Sequence, residues 1–411
     1  MNVLYITQNG ITDHIGRSQV APYLLGLARL GYSIHVLSAE KAALAALVPE
    51  YQTLFDEAGI RWTRVRYHNS PPLLGTLYDL CHMYRTARRI IKRENTGLVH
   101  CRSFPPALIG YLLKRVLGVK YLFDFRDFYA DGGLHNKRFK FVYRRLKAME
   151  GPMIRAADKV VCLTHRARDL LVDWYFTDVP AAEAAKHFHV IPCCADFDHF
   201  DPARFTTADT DVFAARAGFG DDDFVLLYLG SLGPDYLLPR MMQLFQQLLV
   251  QVPSATFLFV SNNGEDLVRR ECEVLGIDPQ RIRFVTADRS EVPGYISLAD
   301  LSVVFIRPDV SKAGCSPTKL AELFAMNVPV VANAGVGDMD SIISMQENGS
   351  AIVAGFEQGL LAEALAAAIA GAGTNIPIRE NARKAFSLES GTEKYRQVYA
   401  ELLGQGSPKE S

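Results

Sequence analysis

The chain has 411 residues, of which 49% are hydrophobic and 22% charged, with 44 Lys+Arg against 45 Asp+Glu. That length predicts two domains rather than one, and the composition excludes a disordered chain. No segment approaches the ~18–20 uninterrupted apolar residues of a membrane span, and near-neutral charge without a recognised binding motif argues against nucleic acid as a partner.

In chain order, Met1-Asn2-Val3-Leu4-Tyr5-Ile6 lacks the basic start and long apolar run of a signal peptide and reads as a first strand. A loop through Gly16 leads to a helix over 19–30, ended by Gly31. Strands follow over 34–38 and 61–66, then a helix over 76–94. Strand 98–101, helix 106–117, strand 119–124, helix 137–156, strand 159–163 and strand 189–192 complete the first half. Apolar strands alternating with amphipathic helices predict a parallel sheet covered on both faces. The stretch 196–222 is rich in Asp, Ala and Gly, contains Pro202, and reads as a linker.

The same rhythm then restarts. Strands are predicted over 224–229, 256–261, 282–285, 301–306 and 328–333, and helices over 237–251, 264–275, 291–299, 316–326 and 338–347. Helices near 358–371 and 379–403 close the chain, with 404–411 as a tail. The predicted fold class is α/β: two doubly wound Rossmann-like domains, 1–195 and 223–378, with helix 379–403 packing back on the first. Ligands bind at the carboxyl ends of strands in such sheets, so two domains facing each other would enclose a cleft.

The seven cysteines, at 81, 101, 162, 193, 194, 272 and 315, are odd in number and contain no C-x-x-C. They predict neither a disulfide framework nor a zinc site, and they suit a reducing, cytoplasmic compartment. Charge is divided unevenly: residues 1–195 hold 27 Lys+Arg and 16 Asp+Glu, the remainder 17 and 29. One basic cluster is Arg85, Arg88, Arg89, Lys92 and Arg93, within 85–93. The other, within 137–147, is Lys137, Arg138, Lys140, Arg144, Arg145 and Lys147, interleaved with Phe139, Phe141 and Tyr143. Basic helices carrying aromatics can rest on an anionic membrane surface; the alternatives are a solvated face or a landing surface for an anionic substrate.

The stretch with most chemistry is Ser316-Pro317-Thr318-Lys319-Leu320-Ala321-Glu322. It sets a polar turn at a helix start, where free N–H groups and the positive dipole end suit a phosphate. Lys319 and Glu322 are three apart and share a helix face, which suits a pyrophosphate and a ribose hydroxyl. The plainer alternative is a capped helix with a surface ion pair. Asp124-Phe125-Arg126-Asp127 follows an apolar strand, and its carboxylates and Arg can orient a hydroxyl and an anion; a structural ion-pair cluster around Arg126 is the alternative. Arg102 and Ser103 end another strand, and Asp13, His14 and Arg17 lie in the first loop.

These landmarks, in this order, resemble the GT-B glycosyltransferases, and among them the nucleotide-sugar-dependent family 4. Gly16-Arg17-Ser18-Gln19-Val20 with Pro22-Tyr23-Leu24 resembles the acceptor-side glycine loop. Val190-Ile191-Pro192-Cys193-Cys194-Ala195-Asp196, with Phe200 and Pro202, resembles the interdomain strand. Tyr228-Leu229-Gly230-Ser231-Leu232-Gly233 resembles the opening of the donor domain, and Val292-Pro293-Gly294-Tyr295 through Ala299-Asp300 the segment near the base pocket. The 316–338 stretch is similar to a subgroup with S-P-T-K-L-x-E. The resemblance implies transfer of a sugar from a UDP- or GDP-type donor to a hydroxyl of a glycan or lipid-linked acceptor. It further implies retention of configuration, no catalytic metal, and a place in cell-surface polysaccharide synthesis on the inner face of the cytoplasmic membrane.

It also assigns roles. Gly16, Arg17, Ser231, Gly233, Ser316, Pro317, Thr318 and Glu322 would meet the donor, with Glu322 on the ribose. His14, Arg102 and Asp124 would meet the acceptor. Asp127, Arg126 and Lys319 would act at the reacting centre. Backbone N–H groups at Gly16 and Gly233, with Lys319 and a helix dipole, would stabilise the departing diphosphate. Three departures from the pattern stand out. Gly314 occupies the place of a first glutamate, Arg240 is the nearest basic residue after the first donor-domain strand, and Cys193-Cys194 replaces Asn-Gly. A non-catalytic nucleotide- or glycan-binding subunit and a nucleotide-sugar epimerase are the alternative functions. Oligomeric state is not legible.

Overall fold

A computed structural model describes residues 2–68, 70–134, 139–220, 223–345, 349–372 and 376–404. The chain divides into two compact units, residues 1–192 with 388–411, and residues 193–387.

The first unit is built on seven parallel strands. They are β1 (Asn2–Thr7), β2 (Ser33–Glu40), β3 (Arg61–Arg66), β4 (Leu98–Arg102), β5 (Lys120–Phe125), β6 (Lys159–Cys162) and β7 (Phe188–Val190). Their order is β3-β2-β1-β4-β5-β6-β7. Central strands such as β1 and β4 are buried along nearly their whole length, as a sheet covered on both faces requires. The winding reverses between β1 and β4, so the loops leaving those strands diverge and leave a crevice. Thr7, Arg102 and Asp124 lie in register across β1, β4 and β5 at that edge.

The second unit has six parallel strands: β8 (Phe224–Leu229), β9 (Ala255–Val260), β10 (Ile282–Val285), β11 (Leu301–Val304), β12 (Val330–Asn333) and β13 (Ala351–Val353). The order is β10-β9-β8-β11-β12-β13, with the reversal between β8 and β11. The period-two alternation splits β8 between two cores. Leu226 and Tyr228 pack with Phe245, Phe257 and Phe259, while Leu227 and Leu229 pack with Leu323 and Phe324 on the other face.

Several predicted elements change. The loop through Gly16 is instead a short helix, His14–Gln19, and a second helix, Ala21–Arg29, follows it. Pro22 has no N–H to bond four residues back, so one continuous helix cannot form. The stretch 196–222 is no plain linker: it holds the helix Thr207–Ala217, opened by a capping box between Thr206 and Asp209. Arg379 donates to the carbonyls of Phe197, Phe200 and Ala325 and so ties the start of this stretch into the second unit.

The helix predicted over 379–403 is two, Ile378–Phe386 and Leu388–Leu403, parted at Ser387. The first packs on the helix Thr318–Ala325 and the second on Ala21–Arg29. Gly26 permits the latter approach, since a Cβ there would sit 2.8 Å from Thr392 Cγ2. The helices Val48–Glu57 and His165–Tyr175 have no counterpart in the sequence reading. Lys137 and Arg138 of the second basic cluster lie outside the described residues.

Candidate functional site

In the second unit, the polar groups gather beside the reversal between β8 and β11. The helix Thr318–Ala325 begins there after Pro317, with no side chain capping its first turn. Ser316 does not point its hydroxyl at that turn; Ser316 Oγ accepts from the Cys193 N–H at 3.1 Å. Lys319 is buried. Its Nζ lies 4.5 Å from the centroid of the Tyr228 ring and 4.3 Å from that of Tyr236, and 3.5 Å from the Tyr228 hydroxyl. Gly230, at φ 109, admits the amine to the β8 loop, because a Cβ there would stand 3.0 Å from Lys319 Nζ.

Charge is what burial acts on. Burial pushes the Lys319 amine down to about 7, against the partial opposition of Glu322 and Cys315. Burial pushes the Glu322 carboxyl up, opposed by Arg289 and Lys319. Arg289 Nη1 is 3.7 Å from Glu322 Oε1. The Cys315 thiol is pushed up to about 12, chiefly by burial, and is therefore no nucleophile near neutral pH. The pair predicted from spacing thus becomes a partly desolvated cation and carboxylate held on one helix face.

The loop after β8 is fixed from a distance. The Asn263 side chain accepts from the Leu232 N–H at 3.0 Å and donates to the Leu232 carbonyl at 3.1 Å. Ser231 is exposed, with its carbonyl taken by the Tyr228 hydroxyl at 2.8 Å. Gly233 has open space around it. Gly314, in the place of the missing glutamate, is buried in the turn Val310–Gly314. Arg240 is exposed, bonded to Gln243 and lying over the Phe356 ring.

In the first unit, Arg102, Asp124 and Arg126 do come together. Asp124 is buried, with Oδ1 3.3 Å from Arg126 Nη1 and Oδ2 3.5 Å from His100 Nε2. Burial pushes its carboxyl up, but Arg126, the His100 contact and Arg102 outweigh that and hold it well below the usual range. His100 is buried, which pushes its imidazole down, and its Nδ1 bonds the Tyr399 hydroxyl at 2.7 Å. Tyr395 completes the layer, its hydroxyl 3.3 Å from Arg126 Nη1. Asp127, by contrast, is exposed.

The residues expected from the first loop sit on the short helix instead. His14 is exposed, Arg17 half-buried and Gly16 buried. Gly16 is a packing residue: a Cβ there would stand 2.0 Å from the Gly10 carbonyl oxygen. The loop it packs against is held by Glu40, which the sequence reading did not single out. Its carboxylate accepts from the Ile11 N–H at 2.7 Å, the Thr12 hydroxyl at 2.7 Å and the Ser38 hydroxyl at 2.6 Å. Tyr236, Asn263 and Arg289 were likewise missed, since none lies in a short motif with the residues it serves; Tyr228 was quoted only as the start of the β8 loop motif, with no role for its ring beside Lys319.

Comparison with known proteins shows the family of the two domains and the fold. A family model described as a glycosyl transferase 4-like domain matches residues 17–193, and one described as glycosyl transferases group 1 matches residues 223–372. A comparison with curated proteins found no match. Among solved structures, a glycosyltransferase from Rickettsia africae ESF-5 is 18% identical with a TM-score of 0.70, over 98% of this chain and 99% of that one. Anabaena HepE in complex with UDP and glucose is 16% identical with a TM-score of 0.67, over 98% and 100%. The catalytic domain of starch synthase IV from Arabidopsis thaliana, bound to ADP and acarbose, is 11% identical with a TM-score of 0.65, over 98% and 99%. At these identities the structural likeness speaks to the fold. The two sheets and the two domain models together make the chain a glycosyltransferase of the GT-B fold, with a glycosyl transferase 4-like domain followed by a domain of glycosyl transferases group 1.

Proposed function

We propose that the enzyme moves a sugar from a UDP- or GDP-type nucleoside diphosphate sugar to a hydroxyl of a glycan or lipid-linked acceptor, with retention, in cell-surface polysaccharide synthesis. The observation that carries the donor half is Lys319, a buried cation beside the glycine turn after β8. As the anomeric C–O bond breaks, charge develops on the departing diphosphate. A preorganised ammonium in a low-dielectric pocket stabilises it more than water would. Glu322, three residues along, is suited to accept hydrogen bonds from the ribose hydroxyls. With retention, the leaving phosphate takes the acceptor hydroxyl proton as the new C–O bond forms, so no separate base is needed. HepE is solved with UDP and with UDP-glucose, which favours UDP here.

Calorimetric titration with UDP, GDP, ADP and dTDP tests this reading. One nucleotide should bind selectively, and Glu322→Ala should weaken it by roughly 10-fold, the value of about one charge-assisted hydrogen bond. Absence of binding by all four would remove the donor assignment.

Peripheral membrane attachment belongs to the same reading. The helix Pro72–Glu94 exposes Leu73, Leu74, Leu77 and Tyr78 near its start. Arg85, Arg88, Arg89, Lys92 and Arg93 are exposed further along it. No described helix is long and apolar enough to cross a membrane. Flotation with phosphatidylglycerol vesicles should capture the protein and neutral vesicles should not. Replacing Arg85, Arg88 and Arg89 together by Ala should lower the partition on the order of 100-fold, at about 1 kcal/mol per charge. Equal binding to neutral vesicles would sink the electrostatic attachment.

A further inference from the structure

Arg102 is the last residue of β4, in register between Thr7 and Asp124 at the reversal of the first sheet. Its side chain belongs to the interior, since the residue is 5% exposed. Its Nε is buried and has no hydrogen-bond partner among the described residues. The adjacent carboxylate is already engaged: Asp124 Oδ1 faces Arg126 and Oδ2 faces His100. Among the described residues no carboxylate comes within ion-pair distance of Arg102, although its charge reaches Asp124 across a longer gap. The other polar neighbours bring no negative charge. Tyr5 and Tyr395 are buried phenols whose ionisation burial opposes.

A buried guanidinium without a paired anion destabilises a fold. Such a group is retained where a ligand supplies the missing charge, a trade of stability for function. The chain also bends sharply here. Ser103 takes φ 67, a region that favours glycine, and donates its N–H to the Asp124 carbonyl at 2.9 Å. The helix that follows, Phe104–Leu117, opens with Pro105 and Pro106, which have no N–H to offer an anion. Its dipole still adds positive potential at this end, so the guanidinium itself must make the hydrogen bonds. A planar fork of donors is matched to an oxyanion.

We propose that Arg102 binds a phosphate ester carried by the acceptor, at the crevice between the ends of β1 and β4. This rests on the reading of the first unit as the acceptor domain, and narrows it to acceptors with a phosphoryl group near the hydroxyl that is glycosylated. Two sources share that chemistry: the phosphate of a lipid-linked acceptor and that of a soluble sugar phosphate.

The test is calorimetry on the full chain with saturating UDP, which fills the nucleotide site first. Farnesyl phosphate in detergent and glucose 1-phosphate are the two probes. Wild type should bind at least one of them, and the tighter probe assigns the source. Arg102→Met should weaken that probe more than 10-fold and leave UDP affinity within 2-fold; Arg102→Lys, which keeps the charge and loses the fork, should fall between. Arg102→Met should also raise Tm by about 2–4 °C, because an unpaired buried cation is removed.

A lowered Tm would make Arg102 a structural residue and overturn the proposal. So would a parallel loss of UDP affinity, which would assign the guanidinium to the donor diphosphate, or phosphate binding indifferent to both variants. If wild type binds UDP and neither probe, this inference fails while the transferase reading stands. If it binds neither UDP nor a probe, both fail.

Discussion

Lys319→Met should lower kcat/KM by about 100- to 1,000-fold, the usual effect of removing one preorganised charge stabiliser from a transition state. Methionine keeps an unbranched apolar stem between Tyr228 and Tyr236, so packing is largely retained and the charge alone is lost. The wild-type enzyme should also show a pH signature that the variant lacks. The free amine titrates at about 7, so the cation predominates below that pH. A bound diphosphate favours the cation and raises its pKa. UDP should therefore bind most tightly below about pH 7 and weaken as pH rises toward the pKa of the complex. At pH 8, binding should take up nearly one proton, read from the dependence of the calorimetric heat on the ionisation heat of the buffer. Lys319→Met should take up none. Unchanged kcat/KM in the variant would remove Lys319 from the reacting centre.

Gly16→Ala should destabilise the first unit by about 3 kcal/mol, at the upper end of overpacking effects. The new Cβ would meet the carbonyl oxygens of Gly10 and Ile11 at 2.0 and 2.5 Å. Those are backbone atoms, held in place because Glu40 binds Ile11 and Thr12, and no side-chain rotation relieves the contact. The helix His14–Gln19 must shift, carrying His14 and Arg17 with it. Gly233→Ala is the control: nothing lies within 4 Å of its Cβ position, so its Tm should be close to wild type. Thermal melts of both variants decide the matter, and an unperturbed Gly16→Ala would show that the loop yields.

That contrast marks where local sequence stops being informative. Gly16 and Gly233 look alike as loop glycines next to a strand, and both were expected to offer N–H groups to a phosphate. One is a contact point between a helix and a loop; the other stands in open space. The difference lies in what the chain brings against each, which no short window contains. His100 and Tyr399 are 299 residues apart in sequence, yet they share a hydrogen bond. The stretch 196–222 read as a linker for the same reason: the carbonyls of Phe197 and Phe200 at its start are held by Arg379, from far along the chain.

By itself the sequence determined most of the repeating strand–helix order, the two doubly wound sheets and the helix face shared by Lys319 and Glu322. All of these follow from periodicity and spacing, which are local properties of a chain. The tertiary structure decided the rest. It set that Asp124 faces Arg126 and His100 at ion-pair distance while Arg102 does not reach it, how far the Lys319 amine is desolvated between Tyr228 and Tyr236, and where the last helix breaks to join two different units. Burial and charge pairing depend on groups remote in sequence, and those settle only when the chain has folded.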